Sequence, residues 1–271
     1  MKHSQVIRRL CSGVVLAFFL AKVVPLGATA ILAFWRPDRI YIAGDSAALG
    51  DNDVPMTEPV CKVFPGKYVA MAVAGDVAGM MLTLDRKTDK VVGTHRWDFL
   101  ALADSISKTA ATPREALELF EKEGKDDIAL VIRKSKDTVG PLSVLAAGFP
   151  EGKPQIVIVD YIRQVDKNGD LSAISTRTVC PIDCPVDNTP FELGMVDRNL
   201  RQRWLALPRA IAADPVRASN ALLTQQREFT AKKYPGAVAA PFDILEMSAK
   251  GMVWRQHKRQ CREVPRISSL Q

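Results

Sequence analysis

The sequence predicts an α+β fold, with antiparallel sheets and helices layered outside them. Two observations carry this. Runs of strand length and runs of helical period come in blocks: strands, helices, strands, helices, strands. A parallel βαβ fold would alternate them instead. Turn signals such as Arg36-Pro37-Asp38, Pro65-Gly66 and Asn168-Gly169 fall between or beside the strand runs, as antiparallel neighbours require. At 271 residues, 47% of them hydrophobic, the chain is long enough to bury a sizeable core. No repeat, low-complexity tract or linker divides it, so one domain is the simplest account.

The elements follow in order. Ala30-Ile-Leu-Ala-Phe34 and Ile40-Tyr-Ile-Ala43 are strands of a hairpin that begins at Thr29 and ends at Asp45-Ser46. A polar loop from Ala48 to Pro59 leads to a short strand, Cys61-Lys-Val-Phe64. Tyr68 to Ala74 is a strand apolar on both faces. Gly75-Asp76 then reads as a helix entry with Asp76 as N-cap, and Val77, Met80, Met81 and Leu84 supply helical spacing up to about Arg86. A helix from Trp97 to Thr109 follows. Thr112-Pro-Arg-Glu115 opens another, with threonine cap, proline in the first turn and acid behind it, running to about Glu123. Residues 127–133 fit helix or strand equally. Strands are expected at Leu142–Ala147, Pro154–Tyr161 and Leu171–Val179. Helices are expected at Val196–Leu207 and Pro215–Lys233, and a last strand pair at Phe242–Met247 and Met252–Gln256.

The N-terminus has the grammar of a signal peptide: basic residues to Arg9, an apolar Gly13–Ala21, then small residues at Gly27-Ala-Thr-Ala30. Export to a periplasmic or extracellular space is the expectation. An uncleaved anchor over about residues 12–35 is the alternative, and the membrane enters only through it. Residues 1–28 hold four basic groups and no acid, so their removal leaves 33 basic and 30 acidic groups, an ordinary soluble balance. No basic face with interleaved aromatics points to nucleic acid. The basic run Arg255–Arg262 reads as a solvated tail. Four cysteines remain beyond the signal: Cys61, Cys180, Cys184 and Cys261. In an exported chain an even count allows two disulfides, and Cys180 and Cys184 are close enough for a local one. Only His95 and His257 remain to assist zinc, and neither is suitably spaced, so structural thiols or disulfides are favoured over metal. No cofactor motif is present: phosphate-binding glycine loops are absent, and so is a Gly-x-Ser-x-Gly elbow.

Taken together, four stretches resemble the proteasome β-subunit family of N-terminal nucleophile (Ntn) hydrolases. Thr29-Ala-Ile-Leu-Ala-Phe … Ile-Ala-Gly-Asp-Ser46 resembles that family's opening hairpin, with Asp45 at the usual distance from the threonine. Cys61-Lys62-Val63 resembles the strand of its active-site lysine, displaced by about one residue. Ala72-Val-Ala-Gly-Asp-Val-Ala78 resembles the corner whose glycine amide forms the oxyanion hole, Gly75 matching best. The stretch Leu142–Asp160 resembles the central hairpin, and the closing strand pair fits as well. The resemblance implies a four-layer αββα sandwich over residues 29–258, after a signal of 28 (or 30) residues and before a basic tail, 259–271. It also implies a catalytic threonine acting on a peptide or small amide, and self-assembly. Two stretches depart from the pattern. Glu192-Leu-Gly-Met195 and Lys232-Lys-Tyr-Pro-Gly236 stand where the family carries a serine and a second aspartate.

The chemistry of the residues agrees with the first three matches. A cut before Thr29 would put a hydroxyl and a free α-amine on one residue, and the amine can serve as the hydroxyl's base. Lys62 would tune both groups, Asp45 would hold Lys62, and the Gly75 N–H at a helix start would stabilise the oxyanion. Ala28-Thr-Ala30 is also an A-x-A signal-cleavage site. A cut after Ala30 would discard the nucleophile and leave a non-catalytic exported protein that keeps the sandwich for binding or assembly.

Overall fold

A computed structural model describes residues 30–47, 59–84, 91–134, 142–165, 171–184, 189–194, 199–232, 236–261 and 263. The signal-like segment, Thr29, most of the predicted 48–59 loop and the Asn168-Gly169 turn lie outside them. The described residues form an α+β fold with two five-stranded antiparallel sheets, a two-stranded ribbon and six helices, compatible with a sandwich.

The first sheet is built on the opening hairpin, β1 (Ala30–Trp35) and β2 (Arg39–Gly44). Strand β10 (Phe191–Gly194) pairs with β1, and β11 (Asp243–Ser248) pairs with β2 and with β12 (Gly251–Gln256). The second sheet runs in the order β3 (Val63–Pro65), β4 (Val69–Gly75), β7 (Leu142–Gly148), β8 (Gln155–Val165) and β9 (Leu171–Cys180).

Alternation along the central strands divides the apolar residues among three cores. On β1, Ile31 and Ala33 pack against Ala70, Ala72 and Ala74 of β4 and Leu145 and Ala147 of β7, which join the two sheets in one cluster. The other β1 face, Ala30, Leu32 and Phe34, packs with Trp204, Leu222 and Leu223 of α4 (Leu200–Ala206) and α6 (Pro215–Ala231). On β4, Met71 and Val73 face Phe99, Leu117, Phe120 and Val131 of α1 (Phe99–Thr109), α2 (Pro113–Glu123) and α3 (Lys125–Lys134). The short helix α5 (Arg209–Ala212) leads into α6.

The caps explain where helices start. Thr112 Oγ1 accepts from the Glu115 N–H at 3.2 Å, and Glu115 reaches back to the Ala111 N–H at 2.8 Å. At α6 the Asp214 carboxylate accepts from the Val216 and Arg217 N–H groups, and Pro215 occupies the first turn. The Asp98 carboxylate accepts from the Ala101 N–H, so α1 starts at Phe99 and Trp97 belongs to the strand before it.

Two expectations are corrected and one open reading is settled. Residues 77–84 form no helix; β5 (Ala78–Leu84) pairs antiparallel with β6 (Val91–Asp98), in one register from Ala78↔Asp98 to Thr83↔Gly93 and with a shift before Leu84↔Val91. A cross-strand partner overrides a marginal helical period. The ambiguous 127–133 stretch is helical, within α3. The Arg255–Arg262 run is not simply solvated: β12 extends to Gln256, and Lys258 and Cys261 are buried.

Candidate active site

The end of β2 delivers Asp45 into the interior, where it has no solvent exposure. Strand pairing fixes it from two sides. The Asp45 N–H donates to the Ala30 carbonyl at 3.1 Å, and the Ala30 N–H donates back to Asp45 Oδ1 at 2.9 Å. The other carboxylate oxygen, Oδ2, accepts from the backbone N–H groups of Ala47 at 2.9 Å and Ala239 at 3.3 Å. Lys62 Nζ completes the shell, donating to Oδ1 at 2.8 Å. Lys62 is as buried as its partner, at 1% exposure. A carboxylate with four donors around it is an anchor and has little left with which to abstract a proton.

Lys62 is held by its backbone as well. Its carbonyl accepts from the Val73 N–H of β4, which aligns the lysine with the strand that ends at Gly75. Burial pushes the Lys62 ammonium below the ordinary lysine range. The charge and hydrogen bond of Asp45 pull it back up, and the charge of Lys258 lowers it further.

Lys258 was not singled out in the sequence. Its ammonium lies 2.8 Å from Asp243 Oδ2, donates to the Val60 carbonyl at 2.9 Å, and reaches the Asp45 carbonyl oxygen at 3.3 Å. Its N–H also donates to Asp243 Oδ1 at 2.8 Å. Asp243 opens β11 directly opposite Gly44, the residue before Asp45. Two fully buried ion pairs therefore sit side by side at one end of the first sheet. A disulfide, Cys61–Cys261, ties the C-terminal segment to the residue next to Lys62. The second disulfide is the local Cys180–Cys184 pair that the spacing suggested.

Of the four residues singled out for catalysis, Asp45 and Lys62 are brought together. Thr29 lies outside the described residues, but its neighbour Ala30 is hydrogen-bonded to the Asp45 carboxylate. Gly75 ends β4 with φ 99°, a conformation that favours glycine. No helix begins there, because β5 follows, so no helix dipole assists its N–H. Glu192 lies on β10 opposite Leu32. Burial pushes its carboxyl up to about 8, and the Arg203 guanidinium resists.

A cavity of about 630 Å³ opens elsewhere, lined by Trp35, Pro37, Arg114, Glu151 and Lys153 among others. Trp35 ends β1 and Pro37 lies in the β1–β2 turn, at the opposite end of the hairpin from Ala30 and Asp45. Among the described residues no group of three or more His, Cys, Asp or Glu side chains is placed to hold a metal, and no helix is long and apolar enough to cross a membrane.

The residues and sheets define a class, an α+β protein with a buried Asp–Lys pair at the open end of its first hairpin. No family model matches the sequence, and no curated protein does. Among solved structures, the chain is similar to an Anbu (Gly-1) mutant from Hyphomicrobium sp. strain MC1. The two are 13% identical, with 87% of this chain and 89% of that chain covered, at a TM-score of 0.48. That likeness assigns no residue a role.

Proposed function

We propose that this chain is an exported threonine-type Ntn hydrolase of amide or peptide bonds, with a four-layer αββα sandwich and Thr29 as its nucleophile once the signal is removed. One observation carries the reading: the Asp45 carboxylate binds both Lys62 Nζ and the backbone N–H of Ala30, the residue joined to Thr29. Three apolar cores, one joining the sheets and one on each outer face, support the four layers. Cleavage before Thr29 is favoured over cleavage after Ala30 on physical grounds. Ala30 is buried, is paired with Gly194, and exchanges two hydrogen bonds with Asp45, all of which the later cut would remove.

In this reading the free α-amine of Thr29 takes the proton of its own hydroxyl as Oγ1 attacks the substrate carbonyl. The Lys62 ammonium keeps that amine neutral by charge repulsion and favours negative charge on Oγ1. Asp45 is a positioning residue that holds Lys62. The Gly75 N–H donates to the tetrahedral oxyanion, a contribution of roughly 3–4 kcal/mol in comparable sites. The amine returns its proton to the leaving nitrogen, the C–N bond breaks, and an ester on Thr29 remains. Water, deprotonated by the same amine, hydrolyses that ester and regenerates the threonine.

The test is a chain produced with Thr29 as its first residue, assayed on peptide and simple amide substrates beside Thr29→Ala and a chain beginning at Ile31. The expected result is turnover by the first alone, with the variants down by at least about a hundredfold. Equal turnover by Thr29→Ala would overturn the proposal. A folded Thr29 chain with no turnover on any substrate would favour the non-catalytic reading, in which the sandwich serves binding or assembly.

A further inference from the structure

We propose that Lys258, carried to the Asp45–Lys62 pair by a disulfide-clamped C-terminal segment, is a positioning residue of this site. The proposal rests on the hydrolase reading for its catalytic meaning, but its geometry stands without it.

Lys258 has no need to be where it is for the sheet to close. Strand β12 is complete at Gln256, and the chain then turns inward instead of leaving into solvent. Its ammonium joins three segments at once: Asp243 of β11, the Val60 carbonyl two residues before Lys62, and the carbonyl of Asp45 itself. Removing this one cation therefore touches the backbone on both sides of the Asp45–Lys62 pair. Cys261, three residues on, closes the segment onto Cys61, adjacent to Lys62. The Cys261 N–H also donates to the Lys258 carbonyl at 3.0 Å, so the clamp and the lysine form one turn.

Among the described residues, two charges act on Lys62: Asp45, just after β2, and Lys258 of the C-terminal segment, whose partner is Asp243 of β11; the β4 residues alongside, Val73 and Ala74, are apolar. Asp45 favours the ammonium of Lys62 and Lys258 disfavours it, in surroundings where charges are poorly screened. A buried lysine held between an anion and a second cation is poised to titrate below its usual range. Lys258 then sets how firmly Lys62 keeps its proton, and through Lys62 the state of the Thr29 amine.

The experiment reads Lys62 directly. The exported, disulfide-intact chain is labelled with ¹³C at lysine Cε, the Lys62 signal is assigned by its loss in Lys62→Arg, and its midpoint is followed with pH. Lys258→Met is expected to move that midpoint upward, and Lys258→Arg to leave it near the original. If Lys258→Met does not fold because Asp243 is left without its partner, the Asp243→Asn/Lys258→Met pair removes both charges, and a smaller upward shift is expected, because the opposing carboxylate is lost as well. Cys61→Ser/Cys261→Ser should also move the midpoint upward, because the segment loses its clamp. An unmoved midpoint in folded Lys258→Met or in the double-charge variant overturns the proposal and leaves Lys258 a structural lysine. An unmoved midpoint in the cysteine variant alone overturns the clamp. Failure of the hydrolase reading is separable: the wild-type chain would then turn over no amide while the Lys62 shift persisted.

Discussion

Replacing Asp45 with asparagine should expose how much of the fold's stability the site consumes. The side chain keeps its size, but one oxygen becomes an NH₂ group. Either Lys62 Nζ and the Ala30 N–H lose their acceptor, or the Ala47 and Ala239 N–H groups meet a donor. In both cases a fully buried lysine loses its counter-charge. Breaking a buried pair from one side costs about 3–5 kcal/mol. For a domain of this size that is a fall in Tm of roughly 10 °C. Lys62→Met should cost less, about 2 kcal/mol, because the carboxylate keeps three backbone donors. The double variant leaves no orphan charge, so its cost should fall short of the two single costs combined by about 2 kcal/mol or more. Urea unfolding of the four oxidised proteins measures this. Additivity within about 0.5 kcal/mol would refute the argument that the pair acts as one buried unit.

Other consequences can be checked separately. Glu192 holds its proton to about pH 8 when folded, whereas an unfolded glutamate ionises near 4.5. The unfolded state therefore binds fewer protons between those limits, and stability should fall as pH rises from 4.5 to 8 and then level off. Glu192→Gln should flatten that slope and stabilise the protein at pH 8.5 by about 2 kcal/mol, with about 5 as the ceiling from the shift; an unchanged slope in thermal melts would contradict it. Removing the Cys61–Cys261 bridge, which spans 200 residues, should cost far more than removing Cys180–Cys184, which spans 4. Chain entropy sets ceilings of about 5 and about 2 kcal/mol, and paired serine variants in urea would test the order. Gly66→Ala would place a Cβ 1.6 Å from the Ser107 carbonyl oxygen, so the β3–β4 turn and α1 must separate; a loss of about 3 kcal/mol or more is expected, and a near-neutral effect would show that this packing is wrong.

The sequence is most informative where local chemistry and tertiary structure agree. The opening hairpin shows as two apolar runs around Pro37-Asp38, and its ends place Asp45 beside Ala30. The α2 helix shows in its Thr112 and Glu115 cap. Strand β6 is hidden because most of its residues are exposed, leaving no alternation to detect. Strand β10 has four residues, too few for a period. Residues 77–84 carry a helical spacing that β6 outcompetes by pairing. The second ion pair is missed for a different reason: Lys258 sits in a basic run, where a lone lysine looks solvated. One signal was available. With Cys180 and Cys184 joined locally and Cys11 set aside in the signal-like segment, Cys61 and Cys261 remain to pair, and that bridge necessarily brings the C-terminal run to Lys62.

The central claim is that Thr29 becomes the first residue of a chain whose Asp45–Lys62 pair is already built beside Ala30. Intact mass and N-terminal sequencing of the protein recovered from an exporting host test this most directly. The account predicts a chain that begins Thr-Ala-Ile-Leu. A chain that begins at Ile31, or one that retains residues 1–28, would contradict it and remove Thr29 as a nucleophile.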